Sequence, residues 1–173
     1  DTLYLRNNQL NGEIPASFGN LNLTTLDMAF NKLSASDPDL ITFLDDKDRN
    51  WAETQTIPPA ITGGELVSAD SVQITWEPIS YTSDGGYYRI RYATESGGPY
   101  TEAGTTEDKN ASSYEVTGLS PGTYYFVVET HTPAHDEQQN DLISDPSPEY
   151  EMEFTGLPEI NVASDNTDIP NAG

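Results

Sequence analysis

Between Ile57 and Thr155 the chain repeats one signature, an apolar side chain at every second position, as in Val72, Ile74 and Trp76 and again in Tyr124, Phe126 and Val128. That period turns one face of an extended strand toward a core and the other toward water, whereas a helix would scatter the same residues around its axis. The segment is therefore predicted to fold as a two-layer β-sandwich. Strands are expected over 61–67, 71–76, 87–93, 113–116, 124–130 and 143–154. Asp84-Gly85-Gly86 and Gly97-Gly98-Pro99 supply turns. Pro146 and Pro148 mark the last strand as an edge, where a missing N–H breaks no ladder bond. Arg89 and Arg91 alternate with Tyr88, Ile90 and Tyr92 and are expected to pair with acids on neighbouring strands. Glu129 and His131 are placed in water.

Upstream, Leu3, Leu5, Asn8 and Leu10 recur as Leu26, Met28, Asn31 and Leu33, a constant offset of 23 residues. A constant offset at four positions is a repeat, in which each turn contributes a short strand with inward leucines. Asn8 and Asn31 are read as structural, their amides satisfying backbone groups of adjoining turns. The pattern ends after Leu33. Ser36-Asp37-Pro38 offers an N-cap and a first-turn proline, and Leu40, Ile41, Phe43 and Leu44 form a helical stripe, so a helix is expected over 38–47. With Trp51 it would cover the end of the stack. Asp45-Asp46-Lys47-Asp48 is read as a solvated helix end, and 54–59, closing on Pro58-Pro59, as a semi-rigid linker.

The repeat residues, with Leu10-Asn11-Gly12-Glu13-Ile14-Pro15, resemble leucine-rich repeats carrying the L-x-G-x-I-P insert of the plant-type subclass, also seen in bacterial surface proteins. The resemblance places Tyr4, Arg6 and Asp27 on a concave, ligand-binding surface. Pro58-Pro59, Trp76, Tyr88-x-Ile90-x-Tyr92 and Leu119-x-Pro121-Gly122 resemble a fibronectin type III domain over 58–156. It implies Trp76 and Tyr88 as core residues and Tyr124 as the corner tyrosine, with Tyr125 as a rival because the corner is one residue short. The polar stretch from Leu157, with Ile160 and Val162 alternating, resembles the opening strand of an immunoglobulin-like module and, cut off from partners, should be disordered. The expected fold is thus mainly β: a partial leucine-rich repeat solenoid with a helical cap over 1–53, the linker over 54–59, a seven-stranded fibronectin type III sandwich over 60–156, and a tail over 157–173.

Seven Lys and Arg stand against 29 Asp and Glu, a net charge of −22. Such a field repels nucleic acid and anionic membrane surfaces. Cysteine is absent, which excludes disulfides and thiol chemistry. No apolar run is long enough to span a bilayer. The two histidines lie at a strand end (His131) and in the next loop (His135), and no nucleophile system surrounds them. His135, Asp136, Glu137 and Asp141 share that loop and are the candidate metal ligands, calcium being the one cofactor considered. The same loop would meet Tyr81 at one end of the sandwich, making Tyr81 and His135 candidate ligand-binding residues. No enzymatic chemistry is expected. The expected role is a monomeric, non-catalytic binding and spacing segment of a secreted or cell-surface protein, recognising a protein or glycan. The alternatives are an accessory region of a secreted hydrolase and a calcium-stiffened spacer.

Overall fold

The computed structural model describes residues 1–156; the expected strand around Ile160 and Val162, and the tail as a whole, lie outside the described residues. Among the described residues the fold is mainly β with one α-helix.

The repeat segment is built from very short parallel strands. β1 (Thr2–Tyr4) pairs with β3 (Thr25–Asp27), Leu3 opposite Leu26. β2 (Asn11–Glu13) pairs with β4 (Lys32–Ser34), Gly12 opposite Leu33. A 3-10 turn, Ala16–Asn20, crosses between them. Pairs three residues long bury little by themselves, so stability comes from the core that the turns share: Ile14, Leu26, Met28, Leu33, Leu40, Leu44 and Trp51. α1 (Pro38–Lys47) lies where the apolar stripe predicts it. Asp37 caps it, its Oδ1 accepting the Leu40 N–H at 2.8 Å. Trp51 is buried at the end of the stack and donates Nε1 to Asp45 Oδ1 at 3.0 Å. The acidic helix end is therefore not simply solvated: Asp45 holds Trp51, and Asp48 Oδ2 accepts the Met28 N–H at 2.8 Å.

Asn31 is fully buried and serves three carbonyls, those of Leu5, Met28 and Ala29, while its Oδ1 takes the Leu10 N–H. Asn8 makes the corresponding bonds to Leu5 and Arg6 carbonyls but is exposed. The next rung is Gln55, inside the expected linker. Its Oε1 accepts the Leu33 N–H and its Nε2 donates to Met28 and Trp51 carbonyls, all within 3.0 Å. Gln55 and Thr56 are buried, so residues 54–59 hold no free-standing tether.

The sandwich has two antiparallel sheets. β5 (Ala60–Ser68), β6 (Ser71–Glu77) and β9 (Ser113–Thr117) form one. β7 (Tyr87–Ala93), β8 (Thr101–Thr105), β10 (Gly122–Thr132), β11 (Leu142–Ile143) and β12 (Tyr150–Phe154) form the other. β11 and β12 lie along the same side of β10 as one interrupted edge. Across the interruption two serine hydroxyls replace lost carbonyls: Ser147 Oγ accepts the Val128 N–H and Ser144 Oγ accepts the Thr130 N–H. The edge thus tolerates Pro146 and Pro148 without leaving buried donors unpaired.

Val72, Ile74, Trp76, Tyr88, Ile90, Tyr124, Phe126 and Val128 fill the core, with Trp76 and Tyr88 edge to face at 5.4 Å. Tyr124, not Tyr125, closes the corner: its hydroxyl donates to Ser120 O at 2.8 Å and accepts the Ser120 N–H. Glu129 corrects the expected placement. It is 4 % exposed, held by Arg89 Nε at 2.7 Å and Arg91 Nη1 at 3.1 Å, so the two cations share one carboxylate on β10. His131 is likewise half-buried, against Tyr87.

Candidate functional site

The two parts meet face to face, and Phe30 is the centre of the contact. It follows the inward Met28 on the repeat, yet it is 4 % exposed and belongs to the core of the sandwich. Its φ is 57°, matching 58° at Asn7, which stands 23 residues earlier in the same repeat position. Asparagine tolerates that left-handed conformation; a phenylalanine there is an outlier held by its surroundings. The ring is 5.9 Å from Tyr81 and 5.3 Å from His135, and the Arg6 guanidinium lies 4.8 Å over its centroid.

Polar bonds surround this plug. Asn7 takes the Gln139 N–H, Gln9 reaches Asn140, Asn11 donates to Asp145, and Arg6 pairs with Glu137 at 3.2 Å. Deeper, Thr56 and Thr132 hydroxyls meet at 2.9 Å. Lys109, fully buried, donates Nζ to Thr132 Oγ1 and sits 3.9 Å over the Tyr81 ring. Burial lowers its pKa to about 8. Tyr81 is 1 % exposed, its hydroxyl bonded to Asp84 and 2.9 Å from His135 Nε2. Burial first, and then the Asp84 carboxylate, hold that phenol far above its ordinary range. Nearby, Gly86 sits at φ 97°, where a Cβ would clash with the His131 carbonyl, so glycine is what lets the chain entering β7 pass this close to β10.

The loop residues expected to face a ligand are thus spent on the junction. The structure brings Tyr81 and His135 together but closes them against Phe30. The candidate metal ligands do not converge: Glu137 pairs with Arg6, Asp141 Oδ1 accepts the Ala134 N–H, and Asp136 is exposed. Among the described residues no three His, Asp or Glu side chains are grouped to hold a metal ion.

Tyr4, Arg6 and Asp27 do share an open groove. Its volume is about 450 Å³, and Phe30, Asp48, Asn50, Thr54 and Glu137 complete its walls. Tyr4 is 70 % exposed. Asp27 Oδ1 accepts the Ala29 N–H, and its other oxygen stands 3.8 Å from Arg6. Burial, with the neighbouring Asp27 charge, raises the Asp48 pKa against the Met28 hydrogen bond. The groove floor is the parallel strand pair, and Glu137 from the sandwich forms one rim. Glu137 and the junction around Phe30 had no local signature; a bulky aromatic at a turn position where the preceding repeat has asparagine was the one available signal.

The leucine-rich repeat family matches residues 1–21 and 22–44, and the fibronectin type III domain family matches residues 59–144. The chain therefore carries leucine-rich repeats followed by a fibronectin type III domain. Neither is a catalytic domain, and both are typical of protein-binding or adhesion modules. The von Willebrand factor A domain-containing protein 1 of Danio rerio is 34 % identical over 84 residues, 42 % of this chain. The chain spans 16 % of the length of that curated relative. Among solved structures, the fibronectin type III domain of human contactin 1 is 15 % identical, with a TM-score of 0.43 over 67 % of this chain and 83 % of that one. A β-1,2-glucanase from Parabacteroides distasonis is 18 % identical, with a TM-score of 0.45 over 59 % of this chain and 13 % of that one. Leucine-rich repeats and fibronectin type III domains are common in extracellular proteins, and no helix among the described residues is long and apolar enough to cross a membrane.

Proposed function

We propose that this segment is a non-catalytic recognition element of a larger secreted or cell-surface protein, in which the leucine-rich repeats present the groove and the fibronectin type III domain holds it at a fixed angle. The observation that carries this reading is the groove itself: an exposed Tyr4 on the strand face, with Arg6, Asp27 and Asp48 around it and Glu137 contributed by the second domain. Exposed tyrosine beside convergent polar side chains is the composition of a binding surface, since the ring gives contact area at small conformational cost. The packed junction supplies preorganisation, because a partner touching both domains does not have to order them first.

The test is a binding screen of the 173-residue chain against arrayed extracellular proteins and glycans, with Tyr4→Ala and Arg6→Ala run in parallel. A ligand bound by the native chain and lost in both variants supports the reading. Ligands that bind all three proteins equally would overturn the assignment of the groove.

A further inference from the structure

We infer that the open face of the first repeat, around Leu5, Leu10 and Phe18, is a docking surface for one further leucine-rich turn, stacked in parallel register against β1 and β2. The first observation is a half-filled polar rung. Asn31 serves its own turn through the Met28 and Ala29 carbonyls. It also reaches the turn before it, donating to Leu5 O at 2.9 Å and accepting the Leu10 N–H at 3.0 Å. Gln55 repeats the arrangement one turn later, taking the Leu33 N–H at 3.0 Å and donating to Met28 O at 2.9 Å. Asn8 makes the own-turn half alone, to the Leu5 and Arg6 carbonyls, and its Oδ1 accepts no hydrogen bond among the described residues. One N–H and one carbonyl from an adjoining turn would complete it, as they do at Asn31.

The second observation is apolar. Leu10 is 38 % exposed, whereas Leu33, at the same position one repeat later and covered by the turn before it, is 8 % exposed. Leu3 and Leu5 are half-buried where Leu26 and Met28 are buried. Leu5, Leu10, Ile14 and Phe18 line an open cavity of about 250 Å³, together with Met28 and Leu33 of the following turn. The third observation is the backbone. β1 pairs with β3 and β2 with β4, each along one edge. Leu5 donates its N–H to Asp27 O and Ile14 donates to Ser34 O. Successive N–H groups of a strand point to opposite edges, so those of Tyr4 and Glu13 face the open one. A helix or a lone strand would cover part of this face. A turn carrying both strands at the 23-residue spacing supplies the two edges, the cavity and the Asn8 rung at once, continuing the interface already formed between the two repeats.

The experiment extends the full chain at Asp1 with a copy of residues 1–23, which sets the added turn at the offset of the repeat. The control is the same extension with serine at the positions of Leu3, Leu5 and Leu10. Amide exchange of Tyr4 and Glu13 is read by NMR, and the amides of β10 confirm that the sandwich stays folded. The leucine turn is expected to slow both amides roughly tenfold relative to the native chain, and the serine turn to slow them less than about twofold. Asn8→Ala should remove most of that protection in the leucine-extended chain, while in the unextended chain it should change the two rates by less than about twofold. No slowing by the leucine turn, equal slowing by both turns, or full protection in the extended Asn8→Ala variant would overturn the inference.

Discussion

The ring of Phe30, on the leucine-rich repeats, meets the imidazole of His135, on the fibronectin type III domain, edge to face with 5.3 Å between centroids. A side chain of the repeat segment thereby enters the hydrophobic core of the sandwich. A packed aromatic in this position contributes through buried area and through its edge-to-face contacts. Its left-handed backbone opposes that gain by about 1–3 kcal/mol. The repeat segment, with few turns of its own, leans on the sandwich through this residue.

Phe30→Ala is expected to destabilise the chain by about 3 kcal/mol in urea denaturation, the usual cost of deleting a buried phenylalanine. Phe30→Gly loses the same ring but relieves the φ of 57°, so it should cost about 1 kcal/mol less than the alanine variant. Equal losses would show that the backbone at Phe30 is unstrained.

The corner is a second, local test. Tyr124→Phe removes a hydroxyl that both donates to and accepts from Ser120, and should cost about 1–2 kcal/mol. Tyr125→Phe should stay within about 0.5 kcal/mol. Chemical denaturation of the two variants distinguishes the residues.

Lys109 gives a pH dependence with a defined sign. Its folded pKa of about 8 lies below the ordinary 10.5, so between these values the unfolded chain binds more protons. Stability should therefore rise with pH from about 8, by about 2 kcal/mol before pH 10. Above pH 10 the trend should reverse, because Tyr81 and Tyr88 are shifted upward by burial and stay neutral in the folded state while unfolded tyrosines ionise. Lys109→Met should abolish the rise and keep the fall. A flat native profile in urea melts from pH 7 to 10 would contradict the burial of that charge.

Glu129 supports two arginines at once. Glu129→Gln should cost about 2 kcal/mol, since both guanidiniums lose a charged acceptor while water reaches only part of each. Glu151→Gln, exposed on β12, should change stability by less than about 0.5 kcal/mol. Thermal melts of the pair at matched salt provide the comparison.

Much of the sandwich was legible because period-two burial is a local signal. β6, β7 and β10 each keep one apolar face in the core, and the alternation of Val72, Ile74 and Trp76 states that directly. β8 was not legible: Thr-Glu-Ala-Gly-Thr is exposed or half-buried throughout, so its extended shape comes from pairing with β7. β2 and β4 were missed for the same reason, each being three residues held by a parallel neighbour. Tyr4, Arg6 and Asp27 were placed together by the repeat, but Asp48, Asn50 and Glu137 come from other elements. The junction was hidden because its contacts join residues far apart in sequence, the rim hydrogen bonds of Arg6, Gln9 and Asn11 spanning 131 to 134 residues. Asn7, Gln9 and Asn140 look like ordinary turn residues until their partners are seen, and Glu129 looks like a solvent residue until two arginines cover it.

The central claim is that the leucine-rich repeats and the fibronectin type III domain form one cooperative body. Hydrogen exchange of the native chain, followed by mass spectrometry through a urea series, tests it most directly. The account predicts that peptides covering β3 and those covering β10 lose protection at the same urea concentration, in a single transition. Loss of protection in β3 at clearly lower urea than in β10 would mean two independent modules on a tether, and would contradict it.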